Sequence, residues 1–194
     1  MKKLLLSLSL VAITTTINAQ WTAQGTGFSA SSRGLSEIRI VDANTVWALA
    51  YDGAAPVPPA TTAANVQEFT QTTSAGASWN SGIIDVGDTT LKITNISPVS
   101  ASTAWVGAVD SANGGGGVFK TSNSGGAWTA QNATAYTTVG TLASYFDFVH
   151  FFDANIGITV GDPIGAGVGE FEVYRQLMVA QPGQRLPLQV CQIL

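Results

Sequence analysis

The chain has 194 residues, only 10% of them charged, and a formal net charge of −4. Sparse and mainly acidic charge argues against nucleic acid as a partner, because phosphate backbones are bound by clusters of Lys and Arg. The hydrophobic fraction of 45% argues against a disordered chain. Short runs of Val, Ile, Thr, Phe and Trp, broken by Gly, Asn and Ser, predict an all-β protein with many turns.

The first 19 residues have the features of a secretory signal peptide. Lys2 and Lys3 form a positively charged start, residues 4–13 form a short apolar run, and Ala19 precedes an acceptable cleavage site. The run is too short for a membrane-spanning helix, which needs about 20 residues. The sequence therefore predicts that residues 1–19 are removed and that the rest is secreted or held at the cell surface, without a membrane span.

Residues 20–175 contain a repeat. Two turns of the form Gly-x-x-Trp place Trp79 and Trp128 49 residues apart. A second element, an apolar strand followed by a polar turn and another apolar strand, recurs at 41–49, 99–107 and 152–160. Trp21 resembles the end of the same cycle. Self-similarity at about 40–50 residues, with several strands in each unit, is typical of β-propeller blades.

Each repeat is predicted to form the four strands of one blade. Strands are expected at 36–40, 46–51, 66–72 and 78–83 in blade one and at 91–96, 104–109, 117–121 and 127–132 in blade two. Blade three is expected to begin with strands at 145–151, 157–160 and 170–174, after which the pattern stops. The predicted fold class is therefore all-β: a partial β-propeller over residues 20–175, with about three four-stranded blades, the last incomplete, and an irregular tail at 176–194.

Two loops are longer than a hairpin needs. Residues 52–64 and 110–116 each follow the second strand of a blade, so both loops are expected at one face of the propeller. Asp52, Asp110 and Asp162 follow the second strands of blades one, two and three, which makes them candidate ligand-binding residues. The alternatives are tolerated insertions for the loops, and turn-stabilising or solubilising roles for the carboxylates.

The two Gly-Trp turns resemble the Asp-box, which is written S/T-x-D-x-G-x-T/S-W. The matching residues are Thr72, Ser74, Gly76 and Trp79 in the first turn and Thr121, Asn123, Gly125 and Trp128 in the second. Ser74 and Asn123 stand where the motif has Asp, and Ala127 replaces the small hydroxyl residue. The resemblance implies a structural motif on the outer hairpin of a blade, in which the glycine permits a positive φ and the tryptophan packs between sheets.

Asp-boxes mark sialidase-type propellers, some polysaccharide hydrolases, sortilin-like receptors and photosystem II assembly factor-like propellers. Residues 148–163 are also similar to secreted propellers of Bacteroidetes-type bacteria. A sialidase site, as this resemblance implies it, needs three arginines, and Arg33, Arg39 and Arg175 do not stand at positions that would form such a triad. His150, the sole histidine, supplies neither a metal cluster nor a catalytic triad by itself.

These observations predict no catalytic residue, no metal and no cofactor. The predicted function is that of a secreted repeat module, a binding or scaffold protein for a glycan or a cell-surface protein, present as a fragment. One alternative is a part of a glycoside hydrolase, sialidase-like or polysaccharide-degrading, whose catalytic residues lie mostly in missing blades. Another is a truncation product without a function of its own.

The tail from Gln176 to Leu194 lacks the alternation and the glycine turns, and it contains the one cysteine, Cys191. Restoring a single base before the Gln176 codon permits the translation Thr-Thr-Asp-Gly-Gly-Ala-Thr-Trp directly after Arg175. That translation is a full Asp-box, at the place where blade three requires one. The sequence therefore predicts that residues 176–194 are out of frame with the ancestral gene, and a genuine divergent terminus is the alternative.

Overall fold

The computed structural model describes residues 20–54, 65–131, 136, 144–163, 171–177 and 189–190. Within these ranges the chain forms three antiparallel sheets of four strands each, and the strands of a sheet are neighbours in chain order. The all-β partial propeller predicted from the sequence is confirmed. The predicted signal peptide, Cys191 and most of the loop at 52–64 lie outside the described residues. No helix in the described part of the chain is long and apolar enough to cross a membrane.

Each sheet corresponds to one blade. Blade one consists of β1 (Arg33–Ile40), β2 (Val46–Asp52), β3 (Glu68–Thr72) and β4 (Asn80–Ile83). Blade two consists of β5 (Lys92–Pro98), β6 (Ala104–Val109), β7 (Gly117–Thr121) and β8 (Thr129–Ala130). Blade three consists of β9 (Phe146–Phe151), β10 (Ile156–Gly161), β11 (Glu172–Leu177) and β12 (Gln189–Val190).

Blade three differs from the expectation at its outer edge. β11 continues to Leu177. The fourth strand of the blade, β12, comes from the tail that was expected to be irregular. Val190 pairs with Tyr174, and Gln189 pairs with Arg175. The physical reason is that the unpaired N–H and C=O groups of an edge strand bind the main chain of any extended segment, whatever its side chains.

Consecutive blades pack face to face, with the first strand of each blade against the blade before it. β5 contacts β1 and β2, and β9 contacts β5 and β6. β6 belongs to the middle blade and is covered by blade one on one face and by blade three on the other. All six of its residues are buried. This explains its nearly continuous apolar sequence, Ala-Trp-Val-Gly-Ala-Val, because a strand that is covered on both faces has no solvent side for polar residues.

Two tryptophans at equivalent positions form the centres of the two interfaces between blades. Trp47 is fully buried between blades one and two, and its Nε1 donates a hydrogen bond of 3.0 Å to the main-chain oxygen of Ser100 in the next blade. Trp105 is fully buried between blades two and three, where its ring stacks on Phe151 with the centroids 3.6 Å apart. Burial of such large rings supplies much of the hydrophobic stabilisation of an interface.

Polar side chains of the first strands also join the blades. Glu37 Oε2 accepts a hydrogen bond of 3.0 Å from the main-chain N–H of Ile96. Ser97 Oγ accepts one of 2.8 Å from the N–H of Phe151. These side chains satisfy buried main-chain groups that have no strand beside them in their own blade, so the blades are held in a defined register.

Candidate functional site

The three candidate aspartates lie at the same end of their blades. Asp52 is the last residue of β2, and Asp110 and Asp162 directly follow β6 and β10. This end of the blades also carries the glycine-containing loop that follows Asp110. Gly115 connects two blades, because its N–H donates to the main-chain oxygen of Ser144 just before β9.

Asp52 belongs to an ionic group within blade one. Its carboxylate lies 3.8 Å from Arg33 Nη1, and it also accepts a hydrogen bond of 3.0 Å from the N–H of Ala54. Arg33 donates mainly to Glu68 Oε1, through Nε at 2.9 Å and Nη2 at 2.7 Å. That hydrogen bond raises the pKa of Arg33. The guanidinium therefore balances both carboxylates and ties the start of β1 to β2 and β3.

Asp110 forms the turn that starts its own loop. Its Oδ1 accepts from the N–H groups of Ala112 at 2.9 Å and Asn113 at 3.2 Å, and its Oδ2 accepts from Asn113 Nδ2 at 2.8 Å. The hydrogen bond from the Asn113 side chain, followed by that from the Ala112 N–H, lowers the pKa of Asp110. The carboxylate is therefore ionised at neutral pH, and its acceptor sites are largely used within the loop.

Asp162 lies beside a second carboxylate. Its N–H donates a hydrogen bond of 2.8 Å to the main-chain oxygen of Tyr145, which holds the end of β10 against the start of β9. The Asp147 side chain is largely exposed on β9, but partial loss of water around its carboxyl group, and then the negative charge of Asp162, raise its pKa. This pair combines an acid that is harder to ionise with a neighbouring carboxylate.

The three aspartates do not form one cluster. Asp52 has Arg33 as its nearest charge, Asp110 is electrostatically coupled to Asp88, and Asp162 to Asp147. Among the residues that the structure describes, no three His, Cys, Asp or Glu side chains form a group that could hold a metal ion. The assignment of a ligand to Asp52, Asp110 and Asp162 stays a prediction.

The arginines and the histidine considered from the sequence each have a different environment. Arg33 binds Glu68, and Arg39 forms an ion pair with Glu37. Arg175 is exposed on β11. His150 is exposed on β9, where its ring meets the edge of Phe152 with the centroids 4.9 Å apart.

A groove of about 360 Å³ lies at the opposite end of the blades and was not predicted from the sequence. It crosses all three blades where their first strands end, and its lining includes Ile40, Pro98, Val99, Ser100, Phe151 and Phe152. The turns beside it are alike: the Oδ1 atoms of Asp42 and Asp153 each accept two main-chain hydrogen bonds, as does Ser100 Oγ. The repeated turn was visible in the sequence, whereas the space between the turns depends on how the blades are arranged.

The two Gly-Trp turns share one hydrogen-bonding pattern. Thr72 Oγ1 accepts from the N–H of Gly76 at 3.0 Å, and Ser74 Oγ accepts from that of Ser78 at 3.0 Å. In the second turn Thr121 Oγ1 accepts from the N–H of Gly125 at 2.9 Å, and Asn123 Oδ1 accepts from that of Ala127 at 2.9 Å. Ser74 and Asn123 thus supply the same hydrogen-bond acceptor to the turn, although their side chains differ in length.

Positive φ angles occur at the same two places in both turns. They are 51° at Ala75 and 86° at Gly76, and 59° at Ser124 and 83° at Gly125. The glycines avoid the steric cost of this conformation. Gly125 is required a second time, since a Cβ there would lie 2.1 Å from Cζ of Phe69 in blade one.

Seven chains of solved structures are similar to this chain. No family model matches the chain, and no curated protein matches it. A solved structure described as YCF48 bound to D1 peptide is 10% identical, with a TM-score of 0.47, over 75% of this chain and 38% of that one. The chain thus spans well under half the length of that protein. The three sheets and their strand order identify this chain as part of a β-propeller.

Proposed function

We propose that this chain is an Asp-box propeller module that acts outside the cell as a non-catalytic binding or scaffold unit. The observation that carries the proposal is the use of the recurring carboxylates within the fold. Asp52 is balanced by Arg33, and Asp110 is held by Asn113 and its own loop. A hydrolase needs two carboxyl groups that face each other across a substrate, whereas these two groups stabilise the loops that surround them.

The bonds within the two Gly-Trp turns support the Asp-box part of the proposal. Ser74 and Asn123 accept main-chain hydrogen bonds at the place where the motif has Asp. A motif that completes a turn in this way positions the loops but takes no part in chemistry. We therefore assign partner binding to the loop-bearing face, and the partner to a cell-surface protein or a glycan.

A second candidate function rests on one pair of residues. Desolvation, and then the charge of Asp162, raise the pKa of Asp147, and glycosidases also use an acid with a raised pKa together with a second carboxyl group. Under this alternative the chain is part of a glycoside hydrolase, with Asp147 as the proton donor.

Release of reducing ends from a panel of polysaccharides distinguishes the two functions. We expect the protein to release none above the level of an Asp147→Asn/Asp162→Asn double variant. Asp153→Asn, which alters a turn carboxylate at the opposite end of the blade, is the matched control. Hydrolysis that is lost in the double variant and kept in the control would refute the proposal and establish the alternative.

Export is tested separately. The proposal requires that the protein leaves the cytoplasm after removal of residues 1–19. N-terminal sequencing of the protein recovered from the medium or the cell surface is expected to begin at Gln20. Recovery of protein that still begins at Met1 in the cytoplasm would contradict the assigned location.

A further inference from the structure

The outward face of blade one is exposed where the matching faces of the other blades are buried. Ile38 and Ile40 of β1 are 57% and 75% exposed. The corresponding residues, which stand at the same distances before the turn, are Ile96 and Pro98 in blade two and Val149 and Phe151 in blade three. Ile96, Val149 and Phe151 are buried, because the preceding blade covers them. Blade one thus presents an apolar face of the kind that receives another blade.

A short N-terminal segment repeats the fourth strand of blade two. Residues 21–24 read Trp-Thr-Ala-Gln, and residues 128–131 have the same four amino acids. In blade two Thr129 and Ala130 form β8, and Trp128 packs edge-on against Phe69 of blade one with the centroids 6.1 Å apart. Trp21 is fully exposed. The segment therefore has the sequence of a fourth strand, but it pairs with no strand in the part of the chain that the structure describes.

The chain that follows this segment already lies on the outward face of blade one. The main-chain oxygen of Thr26 accepts a hydrogen bond from Thr70 Oγ1, and that of Gly27 accepts one of 2.7 Å from Ser81 Oγ. Thr26 follows Trp21 at the same sequence separation at which Ile84 follows Trp79, so the two residues are equivalent. Ile84 is buried in the cluster between blades one and two. Residues 21–27 are therefore arranged as the outer strand of a preceding blade and its connection to blade one.

We propose that this surface, which comprises residues 21–24 together with Ile38 and Ile40, binds blade three of a second copy of the chain. The third strands of blades two and three match. Tyr174 corresponds to Phe119, which pairs with Ala130, and Arg175 corresponds to Lys120, which pairs with Thr129. Ala23 then pairs with Tyr174 of the second copy and Thr22 with its Arg175, in place of β12, which covers only two residues of β11. Addition of a strand to an exposed sheet edge is a common mode of recognition.

The open face of blade three supports this occupant. Phe148 is 39% exposed. It occupies the position in blade three that Glu37 has in blade one and Asn95 has in blade two, and both of those residues contact the following blade. Arg175 occupies the position in blade three that Gln71 has in blade one, since Arg175 pairs with Ile158 as Gln71 pairs with Trp47. Gln71 donates a hydrogen bond to the main-chain oxygen of Ala101 in the turn of the next blade. In the second copy the equivalent turn begins with Asp42, so a guanidinium meets a carboxylate there.

The contact has a different surface on each side, so its repetition either closes a ring or extends into a filament. Two copies of the three described blades together supply six blades, which is within the range of about 4–8 blades that closed propellers have. The contacts proposed between copies continue the pattern that joins blade one to blade two and blade two to blade three. A closed pair of chains therefore leaves neither apolar face open.

Sedimentation velocity over a range of protein concentrations tests the proposal. We expect a dimer that dissociates on dilution, and an Ile38→Lys/Ile40→Lys variant whose dissociation constant is raised more than about 100-fold, because charges would be buried in the contact. Gln24→Pro has the same expected effect, because Gln24 corresponds to Gln131, whose N–H donates a hydrogen bond of 2.8 Å to the main-chain oxygen of Val118 in blade two. Thr89→Lys adds a charge on an exposed loop and is the control. The far-ultraviolet circular dichroism of all variants should match that of the parent, since the substituted side chains are exposed in the single chain.

Quenching of Trp21 fluorescence gives a second readout. The acrylamide-accessible signal that Trp21→Phe removes should disappear as the dimer forms. A protein that stays monomeric at every concentration, or a dimer unaffected by the variants at Ile38 and Ile40, would overturn the proposal. A longer chain from a restored reading frame that is monomeric and protects Trp21 would also overturn it, because the chain's own last blade would then occupy the surface.

Discussion

The side-chain amide of Asn95 in blade two binds both main-chain polar groups of Val149 in blade three. Asn95 Nδ2 donates a hydrogen bond of 2.8 Å to the oxygen of Val149, and the N–H of Val149 donates one of 3.0 Å to Asn95 Oδ1. Both residues are buried. The amide thus forms the two bonds that a neighbouring strand would form, and it joins two separate sheets by the same chemistry that holds one sheet together.

Replacement of this amide is expected to destabilise the protein strongly. Asn95→Leu leaves the N–H and C=O of Val149 buried without partners, at about 1–3 kcal/mol for each group. Urea denaturation followed by tryptophan fluorescence measures the loss. Asn155→Leu, at an exposed asparagine of the blade-three turn, should change the free energy of unfolding by less than about 0.5 kcal/mol. Equal effects at the two positions would contradict the bridging role of Asn95.

Trp47 and Trp105 are equally buried, and they differ in the partner of the indole N–H. Trp47 donates to Ser100, whereas Trp105 Nε1 has no hydrogen-bond partner in the described part of the chain. Trp47→Phe should therefore cost about 1–2 kcal/mol more than Trp105→Phe, since only the first leaves a carbonyl unpaired. Chemical denaturation of the two variants measures the difference, and an equal or reversed order would be inconsistent with it.

The turn at Asn123 should accept the aspartate of the Asp-box. Asn123→Asp keeps the acceptor for the N–H of Ala127 and for the Thr121 hydroxyl and adds a charge, which strengthens such bonds. Asn123→Ala removes the acceptor and should cost about 1 kcal/mol. Ser122→Asp, at the exposed neighbouring position, is the control for the charge alone.

The benefit of Asn123→Asp should depend on pH. A carboxylate that accepts a main-chain hydrogen bond has a lowered pKa in the folded protein. Its contribution is then present above the unfolded value of about 3.9 and is lost as the pH falls through the folded value. Thermal unfolding at pH 7 and pH 3 checks this sign, and an advantage that is larger at pH 3 would contradict it.

The phenol of Tyr174 should ionise at a higher pH than an exposed tyrosine. Burial, followed by its hydrogen bond of 3.0 Å to Glu172, raises the pKa of Tyr174 to about 12. Because the folded state favours the neutral phenol, this contribution to stability is complete below the unfolded value of about 10 and declines as the pH rises towards about 12. Difference absorbance of the phenolate in the parent and in Tyr174→Phe measures the titration. Ionisation of Tyr174 near pH 10 would show that the phenol is not held in this way.

The frameshift predicted after Arg175 requires one additional base, and resequencing of the gene across the codons for Arg175 and Gln176 tests it. The corrected frame would then encode Thr-Thr-Asp-Gly-Gly-Ala-Thr-Trp after Arg175 and continue into further blades. An unchanged junction followed by a stop codon after Leu194 would refute the frameshift. In that case residues 189–190 complete blade three as the native fourth strand.

The sequence repeat was sufficient to predict the number of blades and most of their strands. The second strands at 46–51 and 104–109 agree closely with β2 and β6, because each combines β-branched or aromatic residues with turn residues on both sides. The outer strands were less predictable. The fourth strand of blade two was expected at 127–132, and only Thr129 and Ala130 pair, since Ala127 and Trp128 are used in the turn and in the contact with blade one.

The candidate site was predicted only in part. The common position of Asp52, Asp110 and Asp162 after the second strands followed from the repeat. Their separate environments did not, because Arg33, Asn113 and Asp147 come from different loops and strands around each of them. The groove beside Ile40 and Phe152 was missed because its walls come from three blades.

The sequence by itself determined the all-β class, the blade repeat and the two Gly-Trp turns. These features depend on neighbouring residues, through alternation of side chains and the backbone freedom of Gly76 and Gly125. Only the tertiary structure decided that Trp47 finds a hydrogen-bond acceptor, that Asn95 binds Val149 and that Ile38 is left exposed. These outcomes depend on contacts between residues more than 50 positions apart, which no local pattern encodes.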